Sequence, residues 1–414
     1  MEGVLDGHPL FYGIVIILVV QYLVDTILDY LNAKYFLKDI PIELKDVFDA
    51  DDYEKAQNYQ QINYRFGILK DGVGLLVVLL FLLFGGFQMV DSLVQDFFVN
   101  PIFQALGFFG ILALLSSLIS LPFSFYQTFS IEEKFGFNKT TKKTFFLDIL
   151  KGGLLSALLG GGILALVIWF LEWAGTYFWI YVWVVASMLM LFMNLFYSKL
   201  LVPLFNKQTL LEPGNLKSAI QKYAQKVGFD LKNIFVIDGS KRSTKANAYF
   251  SGFGKQKRIT LYDTLINDLD DEEIVAVLAH EVGHYKRKHV VFNMLSSILL
   301  TGLTLYLLSL FINTPDLSLA LGVTSTSYHA SLLAFFLLYS PISIVTGLAM
   351  NYVSRKFEFQ ADDYAKNTFA PLPLITSLKK LSKSNLSNLT PHPAYVFVHY
   401  SHPPLIERIR NLKA

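Results

Sequence analysis

Residues 279–289 read AHEVGHYKRKH, and residues 290–312 continue VVFNMLSSILLTGLTLYLLSLFI. The first stretch sets two histidines four positions apart with a glutamate beside one of them. The second carries no charged residue and exceeds the roughly 20 apolar residues needed to cross the hydrocarbon core. A charged motif that runs directly into a membrane span sets the terms for the rest of the chain.

Six further stretches qualify as spans, at about 10–31, 67–90, 103–125, 150–172, 177–198 and 329–352. The 414 residues are 53% hydrophobic and 16% charged, whereas a soluble domain carries about 25% charged residues. The reading is an all-α integral membrane protein with seven transmembrane helices, carrying a domain of helices and a small β-sheet on its cytoplasmic side. The first stretch lacks a basic leader and a small-residue cleavage site, so it is expected to be a retained span.

Lysine and arginine set the orientation. Segments 91–102, 173–176 and 313–328 contain neither. Segments 32–65 and 126–146 hold five and four of them, 199–289 holds fifteen, and 353–414 holds nine. This alternation puts the N-terminus outside and the C-terminus in the cytoplasm. The net charge of +2 offers nothing to nucleic acid, and the absence of cysteine removes disulfides and thiolate metal ligands. The expected division is 1–198 as a five-span membrane domain, 199–289 as a first cytoplasmic segment, 290–352 as a membrane hairpin and 353–414 as a second cytoplasmic segment.

Local patterns fill these blocks. KDVFDADDYEKAQNYQ (45–60) is acidic and reads as a solvated loop or short helix, and the glycines 160–162 read as a site of close helix approach. NLKSAIQKYAQKVGFD (215–230) has helical apolar spacing, while KNIFVIDGS, ANAYFSG and KRITLYDTLI are short strand-like runs. DLDDEEIVAVLAHEVGHYKRK (268–288) opens acidic and closes basic, as a helix macrodipole favours.

On that helix His280 and His284 are about 40° apart on one face, so both imidazoles can bind one metal ion. Glu281 lies some 100° from His280, close enough to act on water at the metal as a general base without being a ligand. Zinc makes such water acidic near neutral pH. Ala276, Ala279 and Gly283 leave room for a facing helix. A third ligand must come from His, Asp or Glu elsewhere. The strongest candidates are Glu358 and Asp362 in NYVSRKFEFQADDYAKN (351–367), one as ligand and the other as hydrogen-bond acceptor for a ligating imidazole.

These segments resemble the CAAX prenyl protease 1 family, the sterile-24-type zinc endopeptidases. IEEKFGFNKTT (131–141), PLFNK (203–207), KRSTKANAYFSG (241–252), RITLYDTLI (258–266), AHEVGHYK (279–286), SRKFEFQADDYA (354–365) and HPPLIERI (402–409) are similar to that family's signature stretches, in order, across essentially the whole chain. The resemblance implies seven helices enclosing a water-filled intramembrane chamber that a zinc site faces. It implies His280, His284 and Glu358 as ligands of one Zn(2+) per chain, with Glu281 as base and Asp362 as supporting acid. It further implies Asn247 and Tyr249 on a substrate-holding edge strand ended by Gly252 and Gly254, with His402 and Arg408 near the reacting peptide. The expected partners are a peptide or protein substrate, prenylated or otherwise membrane-associated, and the bilayer, with the enzyme acting as a monomer. The chain ends NLKA without a retrieval signal and its last hairpin turn is short. The expected host is therefore a bacterial inner membrane, or the endoplasmic reticulum membrane in a eukaryote.

Three alternatives compete. A heat-shock-type quality-control metallopeptidase has fewer spans. A site-2-type intramembrane protease carries its HExxH inside an apolar span, unlike the amphiphilic helix here. A transporter or scaffold with a structural metal has no use for Glu281. Of the remaining histidines, His289 is expected at the surface, His8 and His329 at interfacial helix ends, and His392 and His399 in structural roles. Asp25 and Asp29 are expected either to face the chamber or to mark an interfacial helix end.

Overall fold

The computed structural model describes residues 8–36, 39–231, 233–251 and 258–414; Gly252 and Gly254 lie outside the described residues. The chain begins with α1 (Pro9–Ala33), α2 (Ala50–Leu83), α3 (Gly86–Phe97), α4 (Pro101–Tyr126), α5 (Lys142–Ala174), α6 (Phe178–Leu200) and α7 (Val202–Phe205). It then builds β1 (Gln208–Leu210), α8 (Asn215–Lys226), β2 (Asn233–Ile237), β3 (Ala248–Ser251), β4 (Arg258–Tyr262), α9 (Asp263–Asp268) and α10 (Asp271–Lys286). A hairpin of α11 (His289–Phe311), α12 (Pro315–Leu319) and α13 (Tyr328–Thr368) follows, and α14 (Pro371–Ser384), α15 (Pro393–His399) and α16 (Leu405–Lys413) end the chain.

Six helical runs are long and apolar enough to cross a membrane. The run over 142–205 has 64 residues and reverses at Gly175, whose φ of 54° suits glycine, so it contributes both α5 and α6. The seven spans are thus α1, α2, α4, α5, α6, α11 and α13. At most 22% of the most apolar window of any run is buried against the rest of the protein. Buried residues gather at the two ends of the spans instead. One cluster joins Phe11, Leu82, Phe108, Ile168, Phe178, Leu308 and Ala330, and the other forms the core of the soluble domain. Between these ends the spans carry unburied polar groups, among them Lys70, Asp71, Ser116, Ser120 and Asn194. Such groups must face water rather than lipid, so the spans surround a hydrated chamber.

Several boundaries differ from the sequence reading. The acidic stretch is mostly the first part of the 34-residue α2, capped by Asp49 accepting from Asp52 N–H at 2.8 Å. The second span stops at Leu83, because Gly85 (φ 69°) turns the chain into α3, which buries Phe87, Val90, Asp91 and Val94. The triple glycine is no tight contact: a Cβ on Gly160 or Gly162 would meet nothing within 4 Å, and one on Gly161 would meet only Leu106 at 3.5 Å. His329, in the first turn of its span, is buried within the protein, 1% exposed and bonded to Asp91 at 2.7 Å.

The sheet runs β1-β2-β4-β3, with β2 and β4 parallel and the outer pairs antiparallel. β3 is therefore an edge strand, with one side unpaired among the described residues. The sequence reading lacked β1, whose three residues are too few to show a period. Ile234, Ile259 and Leu261 face a core shared with α8, α10, α14 and α16.

Candidate metal centre

α10 opens with a capping box. The Asp270 side chain accepts from the backbone three residues on, and Glu273 accepts the Asp270 N–H at 2.9 Å. The helix packs against α13, and Gly283 sets how closely. A Cβ there would stand 3.0 Å from Ala361 Cα and 3.1 Å from its carbonyl oxygen, so any side chain would push the helices apart. That approach sets His280 and His284 opposite Glu358 and Asp362, all from the two helices that the local patterns singled out.

The ligand atoms of His280, His284 and Glu358 all lie within 4.8 Å of one another. His284 Nε2 is 3.1 Å from His280 Nε2 and 3.2 Å from Glu358 Oε1, while His280 Nε2 is 3.4 Å from Glu358 Oε2. Glu358 is 4% exposed, and its buried Oε2 has no hydrogen-bond partner. Three electron-pair donors aimed at one point, one of them an unsatisfied carboxylate oxygen, fit a divalent cation.

The other imidazole nitrogen, His280 Nδ1, lies 2.8 Å from Asp362 Oδ1. Arg408 of α16 grips the same carboxylate through Nε at 2.9 Å and Nη2 at 2.6 Å, a bidentate fork, and its Nη1 reaches to 3.6 Å from Glu358. Burial disfavours the His280 imidazolium, yet its bonds to Asp362 and Glu358 push its pKa up to about 9. The two carboxylates thus demand positive charge at this point, a demand that a metal ion also meets.

Glu281 is half-buried and makes no hydrogen bond or ion pair among the described residues. His402 is exposed, with Nε2 3.3 Å from Glu358 Oε1 and Nδ1 3.0 Å from the Ser401 hydroxyl. Arg355 holds the approach to it by donating to the carbonyls of Val396 and Tyr400 at the end of α15. Neither Asn247 nor Tyr249 makes a hydrogen bond or ion pair with this cluster among the described residues. Asn247 is exposed beside edge strand β3, and its side chain accepts from Ala248 N–H at 2.8 Å. Tyr249 turns toward a cavity of about 610 Å³ between the sheet and α5–α6, where its hydroxyl has no partner.

His289 corrects the sequence reading: it is 2% exposed, with Nδ1 3.0 Å from His284 Nδ1. On an unbroken helix it would point about 140° away from His284, so periodicity gave no signal. His392 caps α15 by accepting from Ala394 N–H at 3.2 Å. Asp25 faces His399 at 3.9 Å, so this end of α1 looks onto α15 rather than lipid.

Residues 29–207 match the family described as CAAX prenyl protease N-terminal, five membrane helices, and residues 211–414 match peptidase family M48. The CAAX prenyl protease 1 homolog of Arabidopsis thaliana is 37% identical over 413 residues, covering 98% of this chain and 97% of the relative. CAAX prenyl protease 1 of Saccharomyces cerevisiae is 37% identical over 90% of this chain and 88% of its own length. The Homo sapiens homolog is 33% identical, with the same two coverages. Among solved structures, that of S. mikatae Ste24p superposes with a TM-score of 0.92 at 33% identity, over 99% of this chain and 100% of that one. Fold, metal cluster and relatives together make this chain a membrane-embedded metalloendopeptidase. It belongs to the CAAX prenyl protease 1 family.

Proposed function

We propose that the enzyme uses one zinc ion, held by His280, His284 and Glu358, to hydrolyse peptide bonds near the C-terminus of prenylated, membrane-associated CAAX-type proteins. The observation that carries this reading is the convergence of the three donor groups within 4.8 Å of one another. Zinc suits two imidazoles and a carboxylate with a position left open for substrate or water. The names of the relatives support the substrate class.

When bound, the ion supplies Lewis acidity toward water and the scissile carbonyl. Glu281 takes the proton of the attacking water and passes it on to the leaving amine. Asp362, fixed by Arg408, keeps His280 in the tautomer that presents Nε2. Arg408 thereby acts through Asp362 and Glu358, beside the reacting peptide. His402 donates to the oxyanion as charge develops there. The unpaired side of β3 offers backbone donors and acceptors to an extended peptide, with Asn247 and Tyr249 on one face of that strand. Such a grip is indifferent to side chains, so selectivity falls to the chamber that admits the lipid.

Segments 199–289 and 353–414 act as one protease domain threaded by the hairpin between them. In support, their side chains share one core that includes Ile220, Ile259, Ala276, Leu374 and Ile409. The positive segments orient this domain to the cytoplasm in a bacterial inner membrane and in endoplasmic reticulum alike, and the chain works as a monomer.

The test pairs metal analysis with cleavage of a farnesylated CAAX peptide and its unmodified counterpart. One zinc per chain and turnover preferring the farnesylated peptide are expected. Full turnover after complete zinc removal would refute the chemistry, and preference for the unmodified peptide would refute the substrate class. Orientation is read separately by cysteine labelling, for which a chain without cysteine is suited. Val99→Cys, at a 96% exposed loop position, should label from outside, and Leu372→Cys, at a 66% exposed position, only from the cytoplasmic side.

A further inference from the structure

Both imidazoles of the cluster turn one nitrogen inward, and each needs its proton on the other nitrogen to do so. For His280 the acceptor of that proton is Asp362. For His284 the only group at hydrogen-bond distance from Nδ1 among the described residues is His289 Nδ1, at 3.0 Å. Two Nδ1 atoms facing each other form a hydrogen bond only if one carries a proton and the other does not. The partners of His289 decide which. Its Nε2 stands 2.9 Å from the side-chain oxygen of Gln360, an acceptor with no proton to give. His289 therefore carries its proton on Nε2 and presents a lone pair at Nδ1, which accepts the Nδ1–H of His284. That leaves the His284 Nε2 lone pair free, and this atom points at Glu358 and His280.

The chain path is built for this contact. Lys288 takes a left-handed conformation, φ 61° and ψ 25°, between α10 and α11, which is uncommon for a residue other than glycine. The turn carries His289 back beneath His284. There its ring lies flat on Phe357, with centroids 4.0 Å apart and planes within 7°. A rotated ring would lose this stacking and both hydrogen bonds, and a flipped ring would keep the stacking but lose both hydrogen bonds.

We infer that His289 is a positioning residue for the metal centre: with Gln360 it fixes the tautomer and ring orientation of His284. A neutral acceptor suits this position. A divalent cation and Arg408 together already balance Glu281, Glu358 and Asp362, and another carboxylate beside His284 would leave uncompensated negative charge. The two imidazoles are thus oriented by unlike partners, an anionic one for His280 and a neutral one for His284.

The inference rests on the reading of His284 as a ligand, which His284→Ala tests alone: that variant should lose zinc, and full retention would sink the reading itself. For the inference, zinc affinity is measured by chelator competition on the purified full-length protein. His289→Phe preserves the stacked ring and removes the acceptor, and His289→Gln restores an acceptor. Loss of an outer partner of a ligating histidine typically weakens metal binding by about 10- to 100-fold. That loss is expected for His289→Phe, with His289→Gln recovering to within about threefold of wild type. A cobalt-substituted His289→Phe protein should also show a shifted visible spectrum, reporting a reoriented ligand. Wild-type affinity in His289→Phe overturns the inference. So does equal loss in both variants, which would make His289 a packing residue.

Discussion

Helix α13 carries one member of each of two buried histidine–aspartate pairs. Near its start His329 meets Asp91 at 2.7 Å, and near its end Asp362 meets His280 at 2.8 Å. At 1.5 Å per residue the two α13 positions are roughly 50 Å apart, at opposite faces of the membrane domain. Distance and burial do not distinguish them. Their surroundings do. Asp91 is also bonded by Gln95 at 2.8 Å and Ser325 at 3.0 Å, and the His329 ring rests 4.6 Å from Phe108. These polar groups answer one another, and the pair joins α3 to the hairpin that closes that end of the chamber. His280 instead keeps a second nitrogen aimed at His284 and an unsatisfied Glu358 oxygen. A buried pair becomes a reactive centre when its donors exceed what the protein itself can satisfy.

On the proposed function, breaking the end that holds His280 should be far more costly to turnover than breaking the other. Glu281→Gln leaves every expected ligand in place and removes the base. It should lower kcat by about 100- to 10,000-fold while metal analysis still finds one zinc per chain; wild-type turnover would defeat the mechanism. His402→Ala should cost about 100- to 1,000-fold in kcat, the usual loss of an oxyanion donor, with zinc retained. Loss of zinc instead would move His402 among the ligands.

The sharpest contrast comes from parallel substitutions. Asp362→Asn should weaken zinc binding by about 10- to 100-fold, seen by chelator competition. His329→Leu should leave zinc affinity unchanged and lower stability by about 3 kcal/mol, because Asp91 keeps a buried charge without its partner, seen as an earlier unfolding midpoint in detergent. If His329→Leu also released zinc, the two ends would be coupled and the comparison would fail. The smallest effect is expected from Asn247→Ala: KM should rise by a few-fold, about 1 kcal/mol of lost hydrogen bonding, with kcat nearly unchanged.

The sequence was most legible where the informative spacing is local. His280 and His284 share a face because they are one turn apart, and Glu358 and Asp362 repeat that spacing on α13. The apolar runs marked seven spans, with errors at their ends. Residues 84–90 carry no charge to mark an end to the span before them, and only the turn at Gly85 puts 86–90 into α3. His289 was misread because a left-handed turn at Lys288 erased the helical phase. Gly283 was read as small enough for a facing helix, although nothing local said that the helix would be α13.

Sequence alone determined that this chain lives in a membrane, which segments cross it and where a two-histidine motif sits, since hydrophobic length and helical period act between near neighbours. Tertiary structure decided what completes that motif. Asp362 lies 82 positions from His280, and Arg408 lies 128 positions from it. Their meeting depends on how closely α10 can approach α13, and on a C-terminal helix folding back across both. Those distances are set by packing in three dimensions, to which the order of residues along one helix carries no direct guide.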